Sequence, residues 1–394
     1  MRTLTAARLW DGSRLLDHPV IGIEDGRILS ISTRARTESP AETPENVCDY
    51  PRALLAPSFF DVHIHGAGGH DVMEATPEAL GAIGRFLASR GTGSYLATTV
   101  TAPLDMTLRA LDGLAKLMDH PQTIEDQDAG CPTSLPIGIH LEGPFLSHAR
   151  CGVQPKEHLL DPDIAIFDRL FEAAGGHARL ITIAPELPGA IELIAHAVAR
   201  GVRVSLGHTD ATADQARPAI AAGASSATHT FNAMRPLNHR EAGILDVVLT
   251  TDSLYSELIC DGIHTTPEIV NLWWRAKGPQ RAILVTDAMS AAGMPDGEYR
   301  LGGFPVQVAD GRAMAHGSLA GSVLTLDRAL ANFVRFTGAP IEQALRLLTV
   351  NPAAMTGFSG QAGAVSVGMP ANLVAIDAAG ALIASIHNGR PVAA

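Results

Sequence analysis

Residues 59–70 read Phe59-Phe60-Asp61-Val62-His63-Ile64-His65-Gly66-Ala67-Gly68-Gly69-His70, closing an apolar run that begins at Leu54. The run LLAPSFFDV has the length and composition of a buried strand. Residues i and i+2 of a strand share a face, so His63 and His65 project side by side, with Asp61 on that face too. Such a pair is either two hydrogen-bonded histidines at a strand end or half of a metal site, and the rest of the chain must distinguish the two.

Downstream the same texture recurs. Strand-like segments GSYLATTV, PIGIHLEG, RLITIAPE, RVSLGHT, SSATHTFN, YSELICDG and RAILVTDA follow LLAPSFFDVHIHG. Between several of them lie helical patterns, PEALGAIGRFLASRG, DIAIFDRLFEAAGG, AIELIAHAVARG, TADQARPAIAAGA and TPEIVNLWWRAKG. Eight such strands with intervening helices predict an α/β fold, a (β/α)₈ TIM-like barrel. An open doubly wound sheet is the alternative, lowered by the lack of a G-x-G-x-x-G that follows a strand and opens a helix. From Met1 to about Ala53, and again in GAVSVGMPANLVAIDAAGALIASIHNG, short strands alternate with glycine-punctuated turns. The two ends predict one small β-sandwich domain from residues 1–54 and 355–394, around a barrel of residues 55–354. The Glu-, Thr- and Pro-rich stretch Thr33 to Asn46 reads as a surface loop.

The 394 residues are 46% hydrophobic and 18% charged with a net charge of -12, the composition of a soluble acidic protein. This is no electrostatic footprint for nucleic acid, and no stretch predicts a membrane span or an apolar leader. Cys48, Cys131, Cys151 and Cys260 lie far apart without a C-x-x-C, which argues against a disulfide framework and a cysteine zinc site. A cytoplasmic setting is expected.

Active sites of such barrels form at the C-terminal ends of the strands. There stand His63 and His65, His140 and Glu142, His208, His229, His264 and Asp287. Each alone reads as a capping or solvated polar residue. Together they form a donor set of imidazole and carboxylate suited to Zn²⁺ or Fe²⁺. Glu142, His208 and His229 make one three-ligand site, and His63 and His65 a second, with Glu142 as the bridge. Asp287 is positioned to move a proton between water and a leaving group.

This constellation, D-x-H-x-H followed by a strand-end acid, two single histidines and a late aspartate, resembles the amidohydrolase superfamily. Many binuclear members bridge their metals with a carbamylated lysine, but Lys116, Lys156 and Lys277 end no strand, which leaves the bridge to Glu142. The hydantoinase-like and urease-like branches are thereby disfavoured. HLEGPF, GHTDAT, THTFNAMRPLNHREAG, CDGIH, LVTDAM, GSLAGS and TVNPAA, in this order, resemble the N-acetylglucosamine-6-phosphate deacetylase family. That resemblance implies hydrolysis of the acetamide of a phosphorylated amino sugar, with one or two divalent metals, Zn²⁺ or Fe²⁺, per subunit. It implies Glu142, His208 and His229 as ligands of the principal metal, Asp287 as general base and acid, and Asn232, Ala233, Asp261, His264, Leu319, Ala320 and Gly321 as substrate contacts. Arg240 matches a phosphate-binding arginine that reaches the neighbouring active site of a homodimer. Gln154, also expected to contact substrate, stands where the family usually has a histidine that polarises the acetyl carbonyl, so that transition-state stabilisation either falls or is supplied by His148 or His158. Cys151, in the same loop, reads as a packing residue or as a source of redox or metal sensitivity. Two other functions remain in view: an amidohydrolase for another small amide or cyclic amidine, which has no need of Arg240, and a catalytically silent scaffold, which predicts missing ligands.

Overall fold

The computed structural model describes residues 2–34, 47–125 and 130–392. Eight parallel strands follow one another in chain order: β1 (Phe59–Ile64), β2 (Thr92–Thr99), β3 (Leu135–Glu142), β4 (Ala178–Ile183), β5 (Arg203–Leu206), β6 (Ser226–Ala227), β7 (Tyr255–Ile259) and β8 (Ala282–Val285). Each falls on one of the apolar segments singled out in the sequence. Helices lie between them where local chemistry starts them. In α1 (Pro77–Ser89) the Thr76 side chain accepts from the Ala79 amide and Pro77 opens the first turn, while Leu80, Ile83 and Leu87 turn inward.

Neighbouring strands are laddered from β1 to β8, which leaves the seam between β8 and β1 to be closed by other means. Phe60 N–H donates to the Leu348 carbonyl at 2.8 Å and Leu284 N–H to the Leu347 carbonyl at 3.0 Å, so a turn after the helix Ile341–Arg346 fills the lower seam. Higher up, the Thr286 hydroxyl donates to Asp61 Oδ2 at 2.6 Å, and the amide of Asp287 donates to the His63 carbonyl at 2.9 Å. The His65 amide then donates to the Ala288 carbonyl at 2.8 Å. Asp61, expected beside the two histidines, spends its carboxylate on this seam; burial pushes its pKa up to about 7 against the hydrogen bond from Thr286.

Both termini build one eight-stranded sheet, seven strands in one hydrogen-bonded path and the short strand Leu15–Asp17 branching from Arg2–Trp10, antiparallel except where Arg2–Trp10 runs parallel to Val47–Pro57. Its core holds Leu4, Ile21, Leu55, Leu373 and Ile386. The expected Asp-Gly hairpin is present: Asp25 and Gly26 have φ of 48° and 75°, and Glu24 pairs with Arg27. Val47–Pro57 continues into β1 across Ser58 alone, so the 54/55 boundary lies inside a strand, and 354/355 lies inside the helix Val350–Thr356. Most of the Thr33 to Asn46 segment falls outside the described residues, and Thr33 itself ends the strand Arg27–Thr33. Among the described residues no helix is long and apolar enough to cross a membrane.

His387, on the strand Leu382–His387, ties this sheet to the barrel through the Thr92 backbone, and its Nε2 has no hydrogen-bond partner among the described residues. Burial lowers its pKa to about 4. An unfolded histidine titrates near 6.5, so between about 6.5 and 4 the unfolded chain binds a proton that the folded protein refuses. Stability is therefore complete above that window and falls as pH drops through it, by on the order of 3 kcal/mol from this group. The melting temperature of His387→Asn should accordingly decline less steeply than that of the parent from pH 7 to pH 4.5; parallel declines would show that His387 is not the titrating group.

Candidate active site

The site occupies the C-terminal mouth of the barrel, where five strand ends deliver its side chains. His63 lies within β1 and His65 one residue past it; Glu142 ends β3; His208, His229 and Asp287 each stand two residues beyond β5, β6 and β8. The last three have positive φ, 46°, 26° and 51°. For residues with a β-carbon this costs about 1–3 kcal/mol each and persists only where the surroundings impose it. Gly207 permits one of these turns: a β-carbon there would lie 2.7 Å from Thr228 Cβ and 2.9 Å from Thr182 Cγ2. Its absence lets His208 and His229 approach, with Nε2 atoms 3.1 Å apart.

Glu142 is the hub. Its Oε1 lies 3.2 Å from His208 Nε2, 3.1 Å from His229 Nε2 and 3.4 Å from His63 Nε2, while Oε2 lies 3.4 Å from His65 Nε2. Asp287 Oδ1 sits 3.1 Å from His65 Nε2 and 3.6 Å from His63 Nε2. The atoms that could ligate a metal fall into three overlapping groups, each within 4.8 Å: Glu142 with His208 and His229, His63 with His65 and Glu142, and His63 with His229 and Asp287.

The outer ring nitrogens decide what the inner ones offer. His65 Nδ1 donates to the Thr98 carbonyl at 3.0 Å and His208 Nδ1 to the Arg150 carbonyl at 3.0 Å, because a carbonyl can only accept. His63 Nδ1 faces the Glu257 carboxylate at 3.3 Å. When neutral, each of the three rings so held would direct its Nε2 lone pair toward the two carboxylates, and buried His63 Nε2 has no hydrogen-bond partner among the described residues. Convergent lone pairs around carboxylates suit a divalent cation. Burial opposes charge on His63 and His65, but Glu142 and Asp287 outweigh it, raising His63 well above the usual histidine range and His65 to about 9. Burial likewise opposes the carboxylate charges, yet the same imidazoles hold Glu142 and Asp287 below the ordinary range.

A cavity of about 250 Å³ opens over this cluster. His65, Glu142, His208, His229 and Asp287 form its floor, and His63 lies fully buried beneath. Asn232, Ala233, His264, Leu319 and Gly321 line the walls as expected substrate contacts would. Two expected contacts do not. Asp261 accepts from His264 Nδ1 at 2.6 Å and fixes that ring from behind, off the cavity wall. Ala320 is fully buried in an apolar cluster with Met289 and Val306. Arg240 stands exposed on a loop, its Nε 3.2 Å from His239 Nε2, and does not reach the cavity of its own chain. Gln154 lines the cavity, but its Nε2 donates to Glu142 Oε2 at 2.7 Å and its Oε1 accepts from the Thr101 amide at 2.8 Å. Its polar atoms thus brace Glu142. Exposed His148 and half-buried His158 are absent from the cavity lining, and Cys151 packs with Leu146 and Leu159. Lys116 pairs with Asp112, and Lys277 donates to the Val248 and Thr251 carbonyls, so neither takes the bridging place.

Sequence reading missed a four-stranded antiparallel meander, residues 297–319, inserted after β8. It contributes Leu301 and Ser318 to the cavity beside Leu319, and its Gly302 amide donates to Asp71 Oδ2 at 2.8 Å. The signal was present: Asp310-Gly311 and His316-Gly317 turns, both residues of each at positive φ, separate alternating segments such as FPVQVA. Glu257 was missed as well, since mid-strand acids carry no strand-end signature. A larger hollow, about 670 Å³, lies at the opposite end of the barrel near Ser58, Gly93 and Leu135, away from the ligand cluster.

Known proteins resemble this architecture throughout. N-acetylgalactosamine-6-phosphate deacetylase of Escherichia coli O157:H7 is 37% identical over 95% of the chain and 94% of its own length. N-acetylglucosamine-6-phosphate deacetylase of Bacillus subtilis (strain 168) is 35% identical over 96% and 93%. The structure of a variant N-acetyl-D-glucosamine-6-phosphate deacetylase from Mycobacterium smegmatis, in complex with N-acetyl-D-glucosamine-6-phosphate, superposes with a TM-score of 0.89 at 35% identity, covering 100% of this chain and 99% of that one. The sequence profile of the amidohydrolase family matches residues 54–392, and to that family the chain belongs.

Proposed function

We propose that this protein hydrolyses the acetamide of N-acetylglucosamine 6-phosphate, giving glucosamine 6-phosphate and acetate, with one or two divalent metals, Zn²⁺ or Fe²⁺, per subunit. The observation that carries the reading is the convergence of Glu142, His208, His229 and Asp287 on one small cavity. His63 and His65 complete the ligand set with Glu142 shared between the two halves. A bound cation supplies Lewis-acid activation of water and of the acetyl carbonyl. Asp287, ionised beside two imidazoles, takes the proton of the attacking water and returns it to the amine that leaves. His264, oriented by Asp261, and Asn232 are placed to hold sugar hydroxyls. Arg240 is assigned to the phosphate in the site of a second copy, its planar fork matching phosphate oxygens. A charged sugar phosphate fits a cytoplasmic enzyme. The 4-epimer is a second substrate to compare, because the E. coli relative bears the galactosamine name.

Acetate release from both epimers and from unphosphorylated N-acetylglucosamine is the direct test, and no metal-dependent release from either phosphorylated sugar would overturn the proposal. Asp287→Asn should lower kcat by about 10²–10⁴ while metal content stays near that of the parent; near-parental turnover would remove Asp287 from proton transfer. Mixing inactive Asp287→Asn with Arg240→Ala should restore activity above the sum of the two, since a mixed dimer pairs one intact proton shuttle with one intact arginine. No gain after verified subunit exchange would refute the arginine in trans. His65 holds its proton below about pH 9 in the metal-free protein, so the cation must displace it to use Nε2. Zn²⁺ binding at pH 7, followed calorimetrically in buffers of different ionisation enthalpy, should release about one proton or more, and the release should shrink above pH 9. A heat independent of the buffer would contradict the assigned ligand.

A further inference from the structure

Glu257 is a fully buried acid that none of these roles employs. It lies in β7, pointing into the barrel below the ligand cluster, where an uncompensated carboxylate is costly. Its Oε2 sits 3.3 Å from His63 Nδ1 and also 3.3 Å from the main-chain amide of His229, while its Oε1 has no hydrogen-bond partner among the described residues. The outer nitrogens of His65 and His208 rest on backbone carbonyls; His63 alone among these three rests on a carboxylate. His229 is also the ligand with the smallest positive φ of its group, and the Glu257 oxygen holds the amide at that turn.

We propose that Glu257 is a positioning residue for the second cation: it holds the His63 ring with Nε2 turned toward Glu142 and Asp287, and through the His229 amide it sets that half of the site against the other. The orphaned oxygen is consistent with this, because a buried carboxylate so close to the cluster is compensated by positive charge there. The inference rests on the metal-dependent reading above and deepens it by naming what makes the second position available. A packing role predicts instead that any side chain of the same shape would serve.

The test is equilibrium dialysis of the metal-stripped full-length protein against graded Zn²⁺, with bound metal counted by mass spectrometry, for the parent, E257Q, E257D, H63N and H63N/E257Q. The parent should take up two equivalents at separable concentrations. E257Q keeps the shape and an acceptor oxygen but not the charge, and should weaken the second uptake about 10–100-fold while leaving the first unchanged. H63N should abolish the second uptake, and E257Q should then add nothing, as expected when two residues act on one event. E257D, which retains charge but not reach, should also weaken the second uptake and serves if E257Q does not fold. Uptake of a single equivalent by the parent, a second affinity unmoved in the folded variants, or equal weakening of the first uptake in the H63N background would each overturn the proposal. Acetate release by the parent, measured in parallel, separates the two readings: two-metal uptake sensitive to E257Q without deacetylation would sink the substrate and leave the role of Glu257 intact.

Discussion

The closure of the barrel between β8 and β1 is the constraint on which the site depends. No regular ladder joins these strands, so the Asp61 carboxylate, the Thr286 hydroxyl and a few main-chain amides set their spacing. The same few bonds lie directly beneath His63, His65 and Asp287. A hydrogen bond from the Asp287 amide to the His63 carbonyl makes the spacing of these two residues a property of the backbone. Precision in the chemistry is thereby inherited from closure of the fold, which is why residues brought together from positions 61 and 287 behave as one unit.

The second organising element is charge. Two carboxylates and four imidazoles crowd into a volume with almost no water contact, and each group is intelligible only through the others. Glu142 stays ionised because imidazoles surround it, and His63 and His65 hold protons because Glu142 and Asp287 are there. A divalent cation held there would replace those protons with little change in the balance of charge. The backbone strain at His208, His229 and Asp287 belongs to the same economy: extended backbone would carry these side chains past the focus, and the neighbouring hydrogen bonds hold them back.

Much of this was legible in the letters because two periodicities coincided with chemistry. Apolar runs of strand length located all eight barrel strands, and the polar residues at which several of those runs stopped are the ones that converge at the barrel mouth. What escaped depended on direction. Gln154 lies in the expected place, but only the fold shows its amide turned onto Glu142. Asp261 and Ala320 sit inside motifs whose neighbours line the cavity, and a step of one or a few residues along an irregular loop turns a side chain away from it. Glu257 was invisible for the opposite reason: it interrupts an apolar strand in the middle, where a single acid has no pattern to belong to. The meander of residues 297–319 was overlooked because the strand-helix alternation around it was the stronger rhythm.

That meander leaves and rejoins the barrel at neighbouring points. The Ser322 amide donates to the Asp287 carbonyl at 2.7 Å and the Met289 amide to the Ser322 carbonyl at 3.0 Å, so its two stems are pinned together before the sheet begins. Differences in its length or sequence reach the cavity through Leu301, Ser318 and Leu319, while the clamp shields Asp287 from them. The roof of the site is in effect a cassette, exchangeable without rebuilding the floor. Changes confined to the meander would therefore reshape one wall of the cavity while leaving the pinned backbone at Asp287 in place.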